Sequence, residues 1–166
     1  NPENGDYVQH YDVHSTPTDL TMTDDTLYFT LWDEGGSVVS QPKGSDDLKD
    51  RHWKVEKDCN EIVYDEGQLI LTTRDSKHVI ALDASTGKEL WRHEKQGEPT
   101  IRDYDLTDSH VVVGYRSSSV GFICRESGEL ENLIPFNNNS INFVRASPGN
   151  KIYVADNRDI ALLAPK

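Results

Sequence analysis

Trp32, Arg74, Arg116 and Asn157 follow one another at steps of 42, 42 and 41 residues. Two guanidinium groups present planar forks that match a carboxylate, and an indole face attracts a cation or packs on a peptide. Gathered in one place, these four side chains would grip an anionic group or a peptide rather than make or break bonds. The competing reading makes them ordinary turn residues, with each arginine paired to a neighbouring acid.

Other chemistries lack the residue patterns they need. The sequence has no C-x-x-C, no H-E-x-x-H, no EF-hand loop, no phosphate-binding glycine loop and no G-x-S-x-G. Its six histidines are scattered, and only His10 and His14 fall four apart. On a strand and loop that spacing does not put two side chains on one face. A glycosidase needs only two carboxylates. Most of the 29 acids here fall at turns, where bonding to the backbone already explains them. The expectation is therefore a chain with no catalytic set, no metal and no cofactor.

The elements that must position the four residues come from a repeat. Short apolar runs stand at 27–29, 69–71, 111–113 and 152–154, and a second set at 37–39, 79–82, 120–123 and 160–163. Trp53 and the polar residues after it echo Trp91 and its followers, and Gly128 lies 41 residues after Gly87. A period near forty with four strands in each unit is that of a propeller blade. No long stretch has the 3.6-residue period of a helical repeat. The best-preserved unit contains a strand at 79–82, a turn at 83–87 and an outgoing strand at 88–92. Asp83 can bond the backbone just ahead of it, and Gly87 can take the positive φ of the return.

Ala81, Asp83, Gly87, Lys88 and Trp91 match the A-x-D-x-x-x-G-K-x-x-W docking motif at all five positions. In this the chain resembles the quinoprotein (PQQ-like) β-propeller repeat. The resemblance implies an all-β propeller in which the Trp packs between neighbouring blades and leans on the turn held by Ala, Asp and Gly. It implies a structural use of the motif, not a bound quinone. The dehydrogenases of that family carry an adjacent cysteine pair and acidic calcium ligands. This sequence has no Cys-Cys, so their activity is not carried over.

The blades are expected at 19–58, 59–97, 98–138 and 139–166, with a strand at 7–13 completing the last. The third keeps Gly128 but has Asn132 where the Trp belongs. Four blades of four strands, closed by the N-terminal strand, are favoured over an excerpt from a seven- or eight-bladed propeller. In a closed ring Trp32, Arg74, Arg116 and Asn157 would circle one mouth of the central channel.

Composition narrows the partners. The formal net charge is −12, which argues against nucleic acid and against anionic lipid. Adaptation to high salt would explain the excess of acid, and so would many acidic turns. No run of 18 apolar residues exists, so no membrane-spanning helix is expected. Cys59 and Cys124 occupy different places in their repeats and are expected as free, mostly buried thiols. Asn138 fits a glycosylation pattern that a polar turn cluster explains as well. The first residue is Asn rather than Met, which suggests a processed or excised chain, and an extracellular or cell-surface location is weakly favoured. The expected function is a non-enzymatic scaffold that binds a protein or peptide. The alternatives are a surface, structural or lectin-like component of an envelope or viral assembly, and a fragment of a quinoprotein dehydrogenase.

Overall fold

The computed structural model describes residues 11–32, 35–45, 47–94, 97, 100–136 and 139–163. These form fifteen strands in four sheets and one short 3₁₀ turn, Leu48–Asp50. The first sheet contains β1 (Thr16–Met22), β2 (Thr26–Trp32), β3 (Ser37–Pro42) and β4 (Trp53–Glu56). The second contains β5 (Cys59–Asp65), β6 (Gln68–Thr73), β7 (His78–Asp83) and β8 (Glu89–Glu94). The third contains β9 (Ile101–Leu106), β10 (His110–Tyr115), β11 (Ser119–Cys124) and β12 (Leu130–Pro135). The fourth contains β13 (Phe143–Ser147), β14 (Lys151–Ala155) and β15 (Ile160–Leu163). Strand order within each sheet is chain order, and the paired strands run antiparallel. Each sheet is thus a meander, with a longer loop that carries the 3₁₀ turn between β3 and β4.

Burial follows position in the meander. In the first three sheets the second and third strands are the buried runs, and Leu69, Leu71, Val79, Leu82 and Val111 to Val113 are fully buried, whereas β14 and β15 alternate. A strand packed on both faces needs such a continuous run. The fourth strands β4 and β8 alternate, as a strand with one wet face does, and β12 is mostly exposed. The first sheet's strand begins at Thr16, earlier than the expected start near residue 19. Pro17 is accommodated there by a register shift between Pro17 and Asp19.

The chain divides into two compact units, residues 1–74 with 81–90, and residues 75–80 with 91–166. In the first unit Phe29, Leu31 and Val39 form a core cluster that Val13, Leu27 and Leu48 cover. In the second, Val112, Val120, Phe136, Ile141, Val144, Ile152 and Val154 do the same. The strand expected at 7–13 falls largely outside the described residues. Of its described part, Tyr11 to Val13 form no strand. There the Tyr11 hydroxyl accepts a bond from the Gly44 amide at 3.0 Å.

Inside each unit one tryptophan joins two sheets. Trp53 of β4 lies against the β7–β8 turn and donates from Nε1 to the Ala84 carbonyl at 3.1 Å. Trp91 of β8 lies against the β11–β12 turn and donates to the Arg125 carbonyl at 2.7 Å. Each ring covers a glycine that has a positive φ, Gly87 at 71° and Gly128 at 74°. A Cβ on either glycine would come within 2.7 Å of the indole. The motif's Trp therefore docks on the turn of the following sheet, while the motif's own turn receives the Trp of the preceding one. Trp32 takes no part in this and is 63% exposed.

Carboxylates lace the first strands of neighbouring sheets. In the first unit Asp19 of β1 accepts the Ile62 amide of β5 at 2.9 Å, and Thr21 accepts the Tyr64 amide at 3.2 Å. In the second unit Asp103 of β9 accepts the Val144 amide of β13, and Asp105 accepts the Ala146 amide, both at 2.8 Å. Arg145 adds an ion pair to Asp103. An edge strand exposes unpaired amides that need acceptors, and these side chains supply them. These three aspartates lie on strands, outside the turns where most of the acids are expected.

The receiving turn in the first unit is set by Asp83. Its Oδ1 accepts from the Ser85 hydroxyl at 2.6 Å, the Thr86 hydroxyl at 2.7 Å and the Thr86 amide at 2.9 Å. Those bonds, the Ser85 one foremost, hold its carboxyl below the usual carboxylate range. A depressed folded-state pKa gives stability above the unfolded value of about 3.9 that is lost as pH falls through the folded value. Asp83→Ala is expected to destabilise the fold at pH 7 by at most about 1 kcal/mol, given how exposed the group is. In urea titrations the gap between variant and wild type should narrow in acid.

Candidate functional site

The four positions singled out by the repeat all follow or end the second strand of a sheet. Trp32 closes β2, Arg74 and Arg116 follow β6 and β10 directly, and Asn157 lies two residues past β14. Two belong to each compact unit.

In the first unit Trp32 and Arg74 meet. The Arg74 guanidinium carbon sits 4.4 Å from the centre of the Trp32 ring. Its Nε stands 3.0 Å from Asp58 Oδ1, and its backbone amide donates to the Asp58 carbonyl at 2.9 Å. β5 begins just after Asp58, so the chain carries the acid to the side of the arginine. The result is an exposed indole with a cation fixed on its face and a carboxylate fixing the cation. Arg74 is thus paired to a neighbouring acid and also stacked on the tryptophan.

In the second unit Arg116 is exposed, and its backbone amide donates to the Thr100 carbonyl at 2.9 Å. Asn157 accepts a bond from Asn142 Nδ2 at 2.6 Å. It lies in a tight turn in which Asp156 Oδ1 accepts the Arg158 and Asp159 amides, each at 2.7 Å.

The five motif residues have structural settings. Ala81 is fully buried, Asp83 and Gly87 shape the turn described above, Lys88 is exposed, and Trp91 is 7% exposed. Lys88 closes the turn through its backbone, its carbonyl accepting the Asp83 amide at 2.8 Å. Cys59 is buried and Cys124 half-buried.

Buried polar groups elsewhere serve packing. Arg125 is 7% exposed and donates from Nη1 to the Thr107 carbonyl at 3.1 Å and the Asp108 carbonyl at 3.3 Å. That grip presents the Arg125 carbonyl to Trp91. Burial pushes the Tyr115 hydroxyl up to about 12, and its ring lies over Gly121. Among the described residues no three His, Cys, Asp or Glu side chains gather as a metal site. No helix among them is long and apolar enough to cross a membrane. The expected glycosylation position, Asn138, and the first member of the His10 and His14 pair lie outside the described residues.

Sequence reasoning missed one feature, a cavity of about 820 Å³ in the second unit. Phe122, Ile134, Ile152 and Leu162 supply apolar walls, and His110 and Glu131 stand at its edge. Asn132, which replaces the docking tryptophan, lines it too. The signal in the sequence was that replacement.

No protein-family model matches the sequence, and no curated protein matches it. Solved structures do match in shape. The computationally designed protein Ika4 is similar at a TM-score of 0.75 and 12% identity, over 96% of this chain and 98% of that one. BamB from Moraxella catarrhalis is similar at 0.68 and 13%, over 92% of this chain and 48% of that one. The Pan2 WD40 domain from Neurospora crassa is similar at 0.68 and 18%, over 94% and 49% respectively. The chain thus spans about half the length of the latter two. These neighbours are β-propeller proteins, and the all-β chain, with its four antiparallel sheets in sequence order, has the β-propeller fold.

Proposed function

We propose that this chain is a non-enzymatic propeller scaffold of the PQQ-like repeat type that binds a protein or peptide. The repeat assignment is supported by the way Trp53 and Trp91 dock on the turns that begin at Asp83 and Cys124, in the register of the A-x-D-x-x-x-G-K-x-x-W motif. The observation that carries the binding reading is the Trp32–Arg74–Asp58 group. Trp and Arg dominate the energetics of protein interfaces because each buries a large surface and still makes directional contacts. Fixing Arg74 beforehand lowers the entropy a partner must overcome. Arg116 and Asn157 occupy the same register position in the second unit.

The test is a pair of substitutions, Arg74→Ala with Arg116→Ala. Immobilised chain retains a partner from an extract, and the purified partner is then titrated against wild type and variant. Binding should be lost. The melting temperature should move by less than about 4 °C, because one partly exposed ion pair and one cation–π contact contribute little to stability. Unchanged affinity in the double variant would remove these residues from the site.

A further inference from the structure

The docking tryptophans recur at Trp53 and Trp91, and the next register position is Asn132, four residues after Gly128 as Trp91 is four after Gly87. Asn132 is exposed. Beside it lies the cavity of about 820 Å³. Aromatic walls are already in place, since the His110 ring stands edge-on to Phe122 with centroids 6.0 Å apart. At the rim His110 Nε2 and Glu131 Oε2 are 2.8 Å apart. Asn150, another lining residue, is bonded to Asp108. No Lys or Arg lines the cavity among the described residues. The chain as a whole carries a formal charge of −12.

We infer that this cavity is a second binding site, and that its occupant is an aromatic side chain of a partner peptide flanked by basic residues. An apolar chamber next to a vacated tryptophan position suits a ring. Glu131 in the lining and Asp108 beside Asn150, with no Lys or Arg among the described lining residues, suit lysine or arginine on either side. The volume exceeds that of one indole, so adjoining peptide atoms enter with it. This site is independent of Trp32 and Arg74, and Arg74→Ala with Arg116→Ala leaves it intact.

The probe is the blocked tripeptide Lys-Trp-Lys, titrated into the labelled chain and followed by amide chemical shifts. Saturable shifts are expected at Ser109, His110, Asn132 and Ile134. Glu-Trp-Glu and Lys-Ala-Lys should bind about tenfold more weakly or worse. Asn132→Trp fills the chamber and should weaken Lys-Trp-Lys about tenfold. Leu162→Lys, at a half-exposed wall position, should do the same through like charge and serves if the first variant fails to fold. Equal affinity for Lys-Ala-Lys, shifts confined to other residues, no saturable shifts, or unweakened binding in a folded Leu162→Lys variant would each overturn the proposal.

Discussion

Replacing Trp91 with alanine lowers the free energy of unfolding by about 3–5 kcal/mol, the range for deleting a large buried aromatic. The ring is 7% exposed, lies flat over Gly128 and donates to the Arg125 carbonyl. Alanine removes the apolar contact, opens a void between two sheets and leaves that carbonyl without its indole partner. A domain of this size is stable by about 5–15 kcal/mol, so the loss is a large share of the whole. Trp32→Ala supplies the contrast. Its indole is 63% exposed, and the change should stay within about 1 kcal/mol. Chemical denaturation of the two variants separates a seam tryptophan from a surface one. A cost below about 1 kcal/mol for Trp91→Ala would contradict its docked position.

The second large effect is at the other side of the same contact. Gly128→Ala places a Cβ 2.7 Å from Trp91 Cε3 and forces alanine to a φ of 74°. Backbone strain in the left-handed region costs about 1–2 kcal/mol, and overpacking a well-filled site costs about 1–3 kcal/mol more. The expected total is about 2–5 kcal/mol. Gly35→Ala is the matched control. Its φ of 88° is equally left-handed, but a Cβ there would meet nothing within 4 Å, so strain alone should appear. Similar costs at the two glycines would mean that no ring covers Gly128.

What could be read from the sequence and what could not divides along physical lines. The second strands were legible because strands packed on both faces must be continuous apolar runs, as at Leu69 to Leu71 and Val111 to Val113. The Asp83–Trp91 motif was legible because its turn needs an acid, a glycine and a tryptophan at fixed spacing. The capping roles of Asp19, Asp103 and Asp105 were not legible. An acid on an inner strand looks the same in sequence as one in a turn, and only the neighbouring sheet shows which amide it caps. Asp19 and Asp103 do stand two repeat steps apart, which was a signal. The Trp32–Arg74 stack needed the position of Asp58, which the repeat register did not contain. The cavity at Asn132 could be sensed as a missing tryptophan, but its walls come from β10, β11, β12, β14 and β15. Their convergence is a property of packing rather than of any one segment. Residues 7–13 have a strand-like alternation, and of these the described Tyr11 and Val13 contact Gly44 and the Phe29 cluster of the first sheet.

The central physical claim is that a tryptophan from one sheet closes on the glycine turn of the next. A double-mutant cycle on Trp91 and Gly128 tests it most directly. Unfolding free energies are measured for wild type, Trp91→Ala, Gly128→Ala and the double variant. With the ring gone, the added methyl no longer collides, and only backbone strain remains. The two changes should therefore be less than additive by about 1–3 kcal/mol. Additive effects, with a coupling indistinguishable from zero, would show that the two residues do not touch and would contradict the docked seam.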